Sequence, residues 1–324
     1  MTTNKHHHAL IAGALLALVA STTQAVAPAT APGATAARPA TPALKPITSA
    51  ASAPKPVAKP VLLPEMTARQ IADRNAQARG GLQAWQKVGS LSLAGKLDAG
   101  RTRKDGEGVQ TTTSKLEQRL ARARMRKNLA TTGSISDSKP IQLPFVLELK
   151  RPDKSRLEVP FAGTTSVQAF DGTQGWKRRP YTGHDEVEPF NPVELHLAQG
   201  QQPLDGMLIN YAAKGTTVER DGNELVEGRP AYKLKLTLKN GDVRHLWVDA
   251  QTFLEVRVDA EPRHWNGKTY PVLTYFRDYR PEQGLQVAHR LETVVQGMHG
   301  SESIYIEKVA INPPIADDRF ARPQ

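Results

Sequence analysis

The segment from Ala231 to Asp259 constrains the fold most, because it predicts three consecutive antiparallel strands. The dipeptide Asn240-Gly241 lies between two alternating apolar runs and is typical of a two-residue hairpin loop. The register predicted from that loop places one apolar set on a common face: Leu238 opposite Val243, Leu236 opposite His245 and Leu234 opposite Trp247. The rest of the chain must therefore cover this face.

Alternating segments continue on both sides of this ribbon, from Leu91 to Ile311. We count about ten to eleven antiparallel strands, and an open sheet of that size curls. The predicted fold class is therefore mainly β (α+β), with a single curved antiparallel sheet that forms an unclosed half-barrel with a helical lid.

Three segments predict helices around the sheet. Thr67 and Gln70 form a capping-box pattern, and Gly80-Gly81 predicts a kink or break further along that helix. Asn191 predicts the cap of a second helix, with Pro192 at its first position. A third helix is predicted from Leu204 to Lys214, and its apolar face would cover the concave side of the sheet.

The N-terminus predicts export. Lys5 precedes a twelve-residue apolar run, residues 9–20, that is too short to span a bilayer as a helix. We predict a signal peptide over 1–25, cleaved after Ala25, with cleavage after Ala27 or an uncleaved anchor as alternatives. The chain contains no cysteine, so it cannot be lipidated as a bacterial lipoprotein is. The predicted location is the periplasm. The absence of cysteine also excludes disulfides, thiolate metal sites and cysteine nucleophiles.

Residues 26–64 are rich in alanine and proline and predict a disordered linker, followed by a single domain over 65–324. That domain carries a basic insertion, residues 99–140, with ten lysines and arginines against four acidic residues. Three interpretations remain open: a solvated or disordered insertion, a patch for anionic lipid headgroups, or a nucleic-acid contact, which export argues against. The candidate headgroup patch comprises Arg119, Arg122, Arg124, Arg126 and Lys127.

Catalysis finds little support in the sequence. The histidines lack metal-ligand spacing, and neither a nucleophile elbow nor a glycine-rich phosphate loop is present. His245, on the predicted apolar face, is expected to be a hydrogen-bonded core residue. The alternative is that it acts as a catalytic base. We therefore expect no cofactor, no metal and no enzymatic activity.

Several turns and strand starts resemble one family. The matching segments are Ala78-Arg79-Gly80-Gly81-Leu82, Phe170-Asp171-Gly172 with Trp176, Asp205-Gly206 with Ile209-Asn210-Tyr211 and Lys214-Gly215, Glu227-Gly228-Arg229-Pro230-Ala231-Tyr232, Gly241-Asp242-Val243, Asp249 to Leu254, and Asn312-Pro313-Pro314 with Phe320. With these segments the chain, over residues 66–322, resembles the periplasmic outer-membrane lipoprotein-sorting proteins, the LolA-like superfamily. The resemblance implies an unclosed barrel with a helical lid and a hydrophobic cavity that shields acyl chains. The basic insertion and Ala288, where similar proteins often carry proline, depart from that pattern.

A trough of apolar side chains could bind an acyl chain through hydrophobic contacts alone, without hydrogen bonds to a polar group. Each buried CH₂ group would contribute about 0.8 kcal/mol to binding. The candidate lining comprises Leu143, Phe145, Leu147, Leu157, Val159, Phe161, Trp176, Met207, Tyr211, Leu234, Leu236 and Trp247. The alternative is that these side chains form a dry core.

The predicted function is a periplasmic carrier for lipid or the acyl moiety of lipoproteins. Its expected partners are acyl chains, with transient contact to an anionic membrane surface or an envelope protein, and no nucleic acid. Two further hypotheses remain: an envelope-stress regulatory module of the same fold, which binds a protein partner, and a secreted hydrolase.

Overall fold

The structure is a computed structural model that describes residues 63–101, 140–180, 184–200, 204–265, 267–297 and 301–323. Within these ranges thirteen strands form a single sheet. They are β1 (Ser90–Arg101), β2 (Pro140–Lys150), β3 (Lys154–Phe161), β4 (Thr164–Phe170), β5 (Gly175–Arg179), β6 (His184–Pro189), β7 (Thr217–Val226), β8 (Arg229–Thr237), β9 (Val243–Asp249), β10 (Glu255–Trp265), β11 (Lys268–Glu282), β12 (Leu285–Val295) and β13 (Ser301–Ile311).

The sheet is antiparallel throughout and is not closed. Its strand order is β6-β5-β4-β3-β2-β1-β13-β12-β11-β10-β9-β8-β7, so the chain runs outward from β1 to one edge and returns from the other edge to β13 beside β1. The connection between β6 and β7, residues 190–216, therefore joins the two edges of the sheet. Bulges in β1, β7 and β10 interrupt the ladders and add local twist and bend.

The mainly β, open, single-sheet prediction is confirmed, but the sheet has more strands than the ten to eleven expected. The two that the sequence pattern did not reveal are β6 and β7, which are the edges. β7 reads TVERDGNELV, with a register shift between Arg220 and Asn223, and β6 reads HDEVEP. Edge strands pack against fewer neighbours and need no clean apolar alternation, so the periodicity signal is weak there.

Two predicted helix starts are confirmed. In α1 (Ala68–Ala78) the Thr67 hydroxyl accepts from the Gln70 backbone N–H at 3.2 Å, and the Gln70 side chain accepts from the Thr67 N–H at 2.8 Å. The predicted break at Gly80-Gly81 is also confirmed, since both glycines have positive φ and α2 (Leu82–Gln86) starts afresh behind them. α3 (Pro192–Gln199) begins at the predicted cap, Asn191.

The helical lid predicted over residues 204–214 is not confirmed, because that segment does not form an α-helix. Residues 204–210 form turns and are followed by a 3₁₀ helix, Tyr211–Lys214. Gly206 and Asn210 both have positive φ, of 84° and 50°, which an α-helix does not permit. No helix in the described ranges is both long and apolar enough to cross a membrane.

The predicted register of the central hairpin is wrong by one residue. The Leu238 N–H donates to the Asp242 carbonyl at 2.8 Å, and the Gly241 N–H donates to the Leu238 carbonyl at 2.9 Å, so the loop has three residues. Only Gly241 has positive φ, and the Asn240 side chain instead accepts from the Asp242 N–H. Because strand side chains alternate, this slip changes which residues of β9 share a face with Leu234.

In the observed register Leu234 lies opposite Leu246, and Lys233 lies opposite Trp247. Leu234, Leu236, Leu246 and Val248 therefore lie together on one face, which we call the inner face, while Trp247 and His245 lie on the other, the outer face. Two large clusters of buried apolar side chains lie on the inner face, and Phe276 packs against both of them.

Candidate functional site

The inner face carries two large buried clusters. The first, which we call the trough cluster, is formed by Leu91, Leu93, Leu97, Phe145, Leu147, Leu149, Leu157, Val159, Leu291, Ile304 and Ile306. The second, the covered cluster, is formed by Ile71, Ala72, Met207, Leu208, Tyr232, Leu234, Leu236, Leu246, Val248 and Val258. The trough cluster spans β1–β3, β12 and β13, and the covered cluster spans β8–β10.

The predicted lining residues divide between these clusters. Phe145, Leu147, Leu157 and Val159 belong to the trough cluster, and Leu143 packs against it. A second group belongs to the covered cluster or packs against it: Met207, Tyr211, Leu234 and Leu236. Nine of the twelve predicted residues thus lie on the inner face, but they do not line one continuous trough.

The other three predicted lining residues lie elsewhere. Trp247 lies on the outer face, where the Arg257 guanidinium stacks 3.8 Å from its ring centroid. Trp176 is also on the outer face, with its indole N–H donating to the Phe320 carbonyl at 3.0 Å. Phe161, at the end of β3, is 46% exposed. The misplacement of Trp247 follows from the hairpin register, and Trp176 is covered by the C-terminal segment, which sequence periodicity does not locate.

The candidate headgroup patch, Arg119, Arg122, Arg124, Arg126 and Lys127, lies outside the described residues. Its contact with a membrane surface remains a prediction.

The two clusters differ in what packs against them from outside the sheet. The covered cluster includes Ile71 and Ala72 of α1. It also includes Met207 and Leu208 of the turns at residues 204–210, which we call the turn segment. Among the described residues, the partly buried apolar side chains that pack against the trough cluster come from strands, with the exception of Leu204. The buried Trp85 of α2 lines the same cavity as five residues of the cluster. The covered cluster is thus completed by α1 and the turn segment. The eleven residues of the trough cluster are each at most 8% exposed, but fewer partly buried side chains from outside the strands pack against them.

A cavity of about 80 Å³ lies where the trough cluster meets α2 and the start of the turn segment. Leu91, Leu93, Leu149, Leu291 and Ile306 form its apolar wall. A larger open groove of about 730 Å³ lies on the other side of α2, bordered by residues 80–84 and by the turn at Gln283. Trp85 lines the cavity and Ala84 lines the groove, so α2 separates the two spaces.

The cavity also has a polar wall, which includes Arg79, Glu255 and Tyr279. The Arg79 guanidinium donates to the Asp205 carbonyl at 2.7 Å and lies 3.4 Å from a Glu255 carboxylate oxygen. The other Glu255 oxygen accepts from the Tyr279 hydroxyl at 3.1 Å, and the Arg79 guanidinium lies 4.5 Å from the Trp85 ring centroid. This wall joins α1, the turn segment, β10 and β11.

The Asp205 side chain extends this network. Its carboxylate accepts from the Arg151 guanidinium at 2.7 Å and from the Lys214 ammonium, and it is 1% exposed. Burial lowers the pKa of Lys214, against the opposing effect of the Asp205 carboxylate. Burial likewise raises the pKa of Tyr279 well above its ordinary value, so its hydroxyl keeps its proton at neutral pH. The cavity therefore has an apolar wall and a charged wall.

No constellation of acid, base and nucleophile was predicted, and His245, the histidine singled out in the sequence, lies on the outer face. Its Nδ1 is 2.8 Å from an Asp259 carboxylate oxygen and its Nε2 is 3.6 Å from Asp221. It is remote from the inner-face cavity, whose lining does not include it. Within the described ranges no group of three histidine or carboxylate residues is placed to hold a metal ion.

The polar wall was missed in the sequence. Arg79 and Glu255 are 176 residues apart, and Arg79 and Asp205 are 126 apart. Arg79 and Asp205 each lie in a segment quoted for the family resemblance, which was the only signal available for them.

No protein-family model matches this chain, and no curated protein matches it. Solved structures do. A LolA superfamily protein from Nitrosomonas europaea is 12% identical, with 80% of this chain and 99% of that chain covered and a TM-score of 0.48. A DUF1329 family protein from Desulfovibrio piger is 13% identical, with 78% and 97% covered and a TM-score of 0.47.

A third solved structure, a domain from Vibrio parahaemolyticus named for outer membrane lipoprotein sorting, is 11% identical. The match covers 95% of that chain and 78% of this chain, with a TM-score of 0.45. This chain is thus similar to proteins that bear the names of the LolA superfamily and of outer membrane lipoprotein sorting, the family that its sequence resembles.

Proposed function

We propose that this protein is a periplasmic carrier that holds the acyl chain of a lipid or of a lipoprotein against the trough cluster. One observation supports this most directly: among the described residues, Leu204 is the only partly buried apolar side chain from outside the strands that packs against the eleven residues of that cluster. The apolar face of a sheet needs a second layer to cover it. An acyl chain is a chemically suited second layer, worth about 0.8 kcal/mol per buried CH₂ group.

Binding requires the cavity to widen. Pockets that hold drug-sized ligands measure roughly 300–1,000 Å³, whereas the cavity beside Leu204 measures about 80 Å³. We propose that the Leu204 side chain, at the start of the segment where a helical lid was predicted, moves aside when a chain enters, while Met207 and Leu208 of the same segment stay in the covered cluster.

Location follows from the N-terminal segment. Residues 1–25 are proposed to direct export and to be cleaved after Ala25, and the absence of cysteine leaves no residue for lipid attachment. A carrier that is itself not anchored could move between the two membranes of a cell envelope, and we propose no cofactor and no chemical step.

Lipid mass spectrometry after solvent extraction of the purified, exported protein tests this function. We expect co-purifying acyl lipid, and binding of an added fluorescent acyl probe. Leu204→Lys should weaken probe binding at least tenfold, because it places a charge beside the trough cluster. Leu225→Lys is the matched control: Leu225 lies on the edge strand β7 and is 54% exposed, so probe binding should not change.

Two outcomes would contradict the carrier. One is a purified protein without lipid that also fails to bind the probe. The other is equal loss of probe binding in both lysine variants, which would place the binding surface elsewhere. A lipid-free protein that captures a defined envelope protein domain would favour the regulatory module in place of the carrier.

A further inference from the structure

The polar wall of the cavity contains a buried guanidinium that is not fully hydrogen-bonded. Arg79 is 8% exposed, and its Nη1 donates to the Asp205 carbonyl. Its Nε–H is buried and has no hydrogen-bond partner among the described residues. Arg257 and Arg290 also have an unpartnered Nε–H, but Arg79 is the one that lines the cavity. A buried N–H group without a partner is unfavourable, and a ligand acceptor would relieve it.

The charges around this wall do not cancel. Hydrogen bonds and ion pairs connect three cations, Arg79, Arg151 and Lys214, with two carboxylates, Asp205 and Glu255. Tyr279, the remaining titratable group in contact with Glu255, keeps its proton because burial raises its pKa. The network therefore has one positive charge in excess. Arg79 and Glu255, the charged groups that line the cavity, pair with each other, whereas Arg151 and Lys214 share the Asp205 carboxylate. The Arg151 side chain is 34% exposed, and burial opposes the charge of Lys214.

The apolar wall faces the same space. Leu91, Leu93 and Leu149 line it, and they belong to the trough cluster against which the acyl chain is proposed to lie. A ligand that enters this cavity along the trough cluster thus brings its end group to Arg79. The matched end group has one negative charge and oxygen acceptors, which describes a carboxylate.

We propose that the cavity selects a long-chain carboxylate, such as a free fatty acid, whose carboxylate accepts a hydrogen bond from Arg79 and whose chain lies against the trough cluster. This proposal rests on the proposed acyl-binding function and names its ligand class. An ester of the same chain could accept a hydrogen bond but would leave the excess positive charge unopposed. The guanidinium makes a charge-assisted hydrogen bond to either acceptor, but only the carboxylate also forms an ion pair with it.

Calorimetric titration of the purified protein with laurate and with methyl laurate at pH 8 tests the proposal without any substitution. We expect laurate to bind about tenfold more tightly than methyl laurate. Equal affinities, or tighter binding of the ester, would overturn the selection of a carboxylate while the acyl carrier stands. Failure of both ligands to bind would overturn the carrier and the carboxylate proposal together.

Two variants sharpen this result. Arg79→Gln should reduce the affinity for laurate about tenfold and leave that for methyl laurate unchanged. Arg257→Gln is the matched control, because Arg257 also stacks on a tryptophan and has an unpartnered Nε–H, but lies on the outer face. It should leave both affinities unchanged. If Arg79→Gln weakens acid and ester equally, Arg79 acts only in packing, and the proposal is wrong.

Discussion

The two halves of the inner face have the same kind of strand surface but different covers. In the covered cluster, α1 and the turn segment supply Ile71, Ala72, Met207 and Leu208 to complete a core. Around the trough cluster, Leu204 is the one partly buried apolar side chain in the described part of the chain that comes from outside the strands. Alternating leucines on a strand therefore do not distinguish a core from a binding surface. The distinction comes from segments far away in the sequence. It can be tested by making matched substitutions in the two halves and comparing their effects.

The largest expected effect is on stability in the covered half. Leu236 is fully buried beneath other side chains, so Leu236→Ala should lower the free energy of unfolding by about 3–4 kcal/mol. Leu147→Ala, the same change in the trough cluster, should cost about 2 kcal/mol, because fewer atoms from other segments surround it. Urea unfolding of both variants measures the difference. A larger loss for Leu147→Ala would remove the distinction between the halves.

An intermediate effect is expected where the two halves meet. Leu204→Ala should lower the free energy of unfolding by about 2 kcal/mol and raise the affinity for an acyl probe severalfold, since it enlarges the cavity and opens the trough cluster. Met207→Ala removes a similar side chain from the covered cluster and should destabilise the protein without a gain in affinity. Probe titration beside urea unfolding separates the two effects; similar affinities for both variants would argue against entry at Leu204.

A smaller effect is expected at the start of α1. Thr67→Ala removes the hydroxyl that caps the helix and should cost about 1 kcal/mol of stability, with Thr67→Ser as the variant that keeps the cap. Because α1 covers the other half of the face, acyl-probe affinity should be the same in both variants. A change in affinity at Thr67→Ala would show that the halves are coupled.

The smallest effect is a pH dependence from Lys214. Burial lowers its pKa in the folded protein, so between that pKa and the ordinary value near 10.5 the unfolded chain binds more protons, and stability rises with pH. Lys214→Gln removes this titration. Urea unfolding at pH 7.5, 8.5 and 9.5 should show the stability of the wild type gaining on that of the variant as pH rises. A constant difference would mean that Lys214 is not penalised by burial.

Much of the fold was predictable because its signals are local. The capping box at Thr67, the break at Gly80-Gly81 and the cap at Asn191 each depend on a few adjacent residues, and each is confirmed. The alternation in β2 and β12 likewise identifies strands with one buried face. Local patterns were sufficient for an open antiparallel sheet.

The errors arose where position depends on distant residues or on fine backbone geometry. Asn240-Gly241 fits a loop of two residues or one of three, and only the backbone hydrogen bonds of Leu238 decide between them. The three-residue loop places Trp247 on the outer face, whereas a two-residue loop would place it on the inner face. Met207, Leu208 and Tyr211 have helical spacing, but Gly206 and Asn210 adopt positive φ and the segment forms turns.

The candidate site was predictable only in part. Leu147 and Leu157 follow from strand alternation, whereas the polar wall requires Arg79, Asp205 and Glu255 to meet across the fold. No local spacing encodes such a meeting, and it is this wall that suggests a ligand with a charged end group.

Methyl NMR of the leucine-labelled protein with a nitroxide-labelled fatty acid tests most directly whether an acyl chain occupies the trough half. We predict that the methyl signals of Leu147, Leu157 and Leu204 broaden on addition of the label, while those of Leu234 and Leu236 keep their intensity. Broadening at Leu234 and Leu236 alone, or no broadening at any of the five, would contradict acyl binding at the trough cluster.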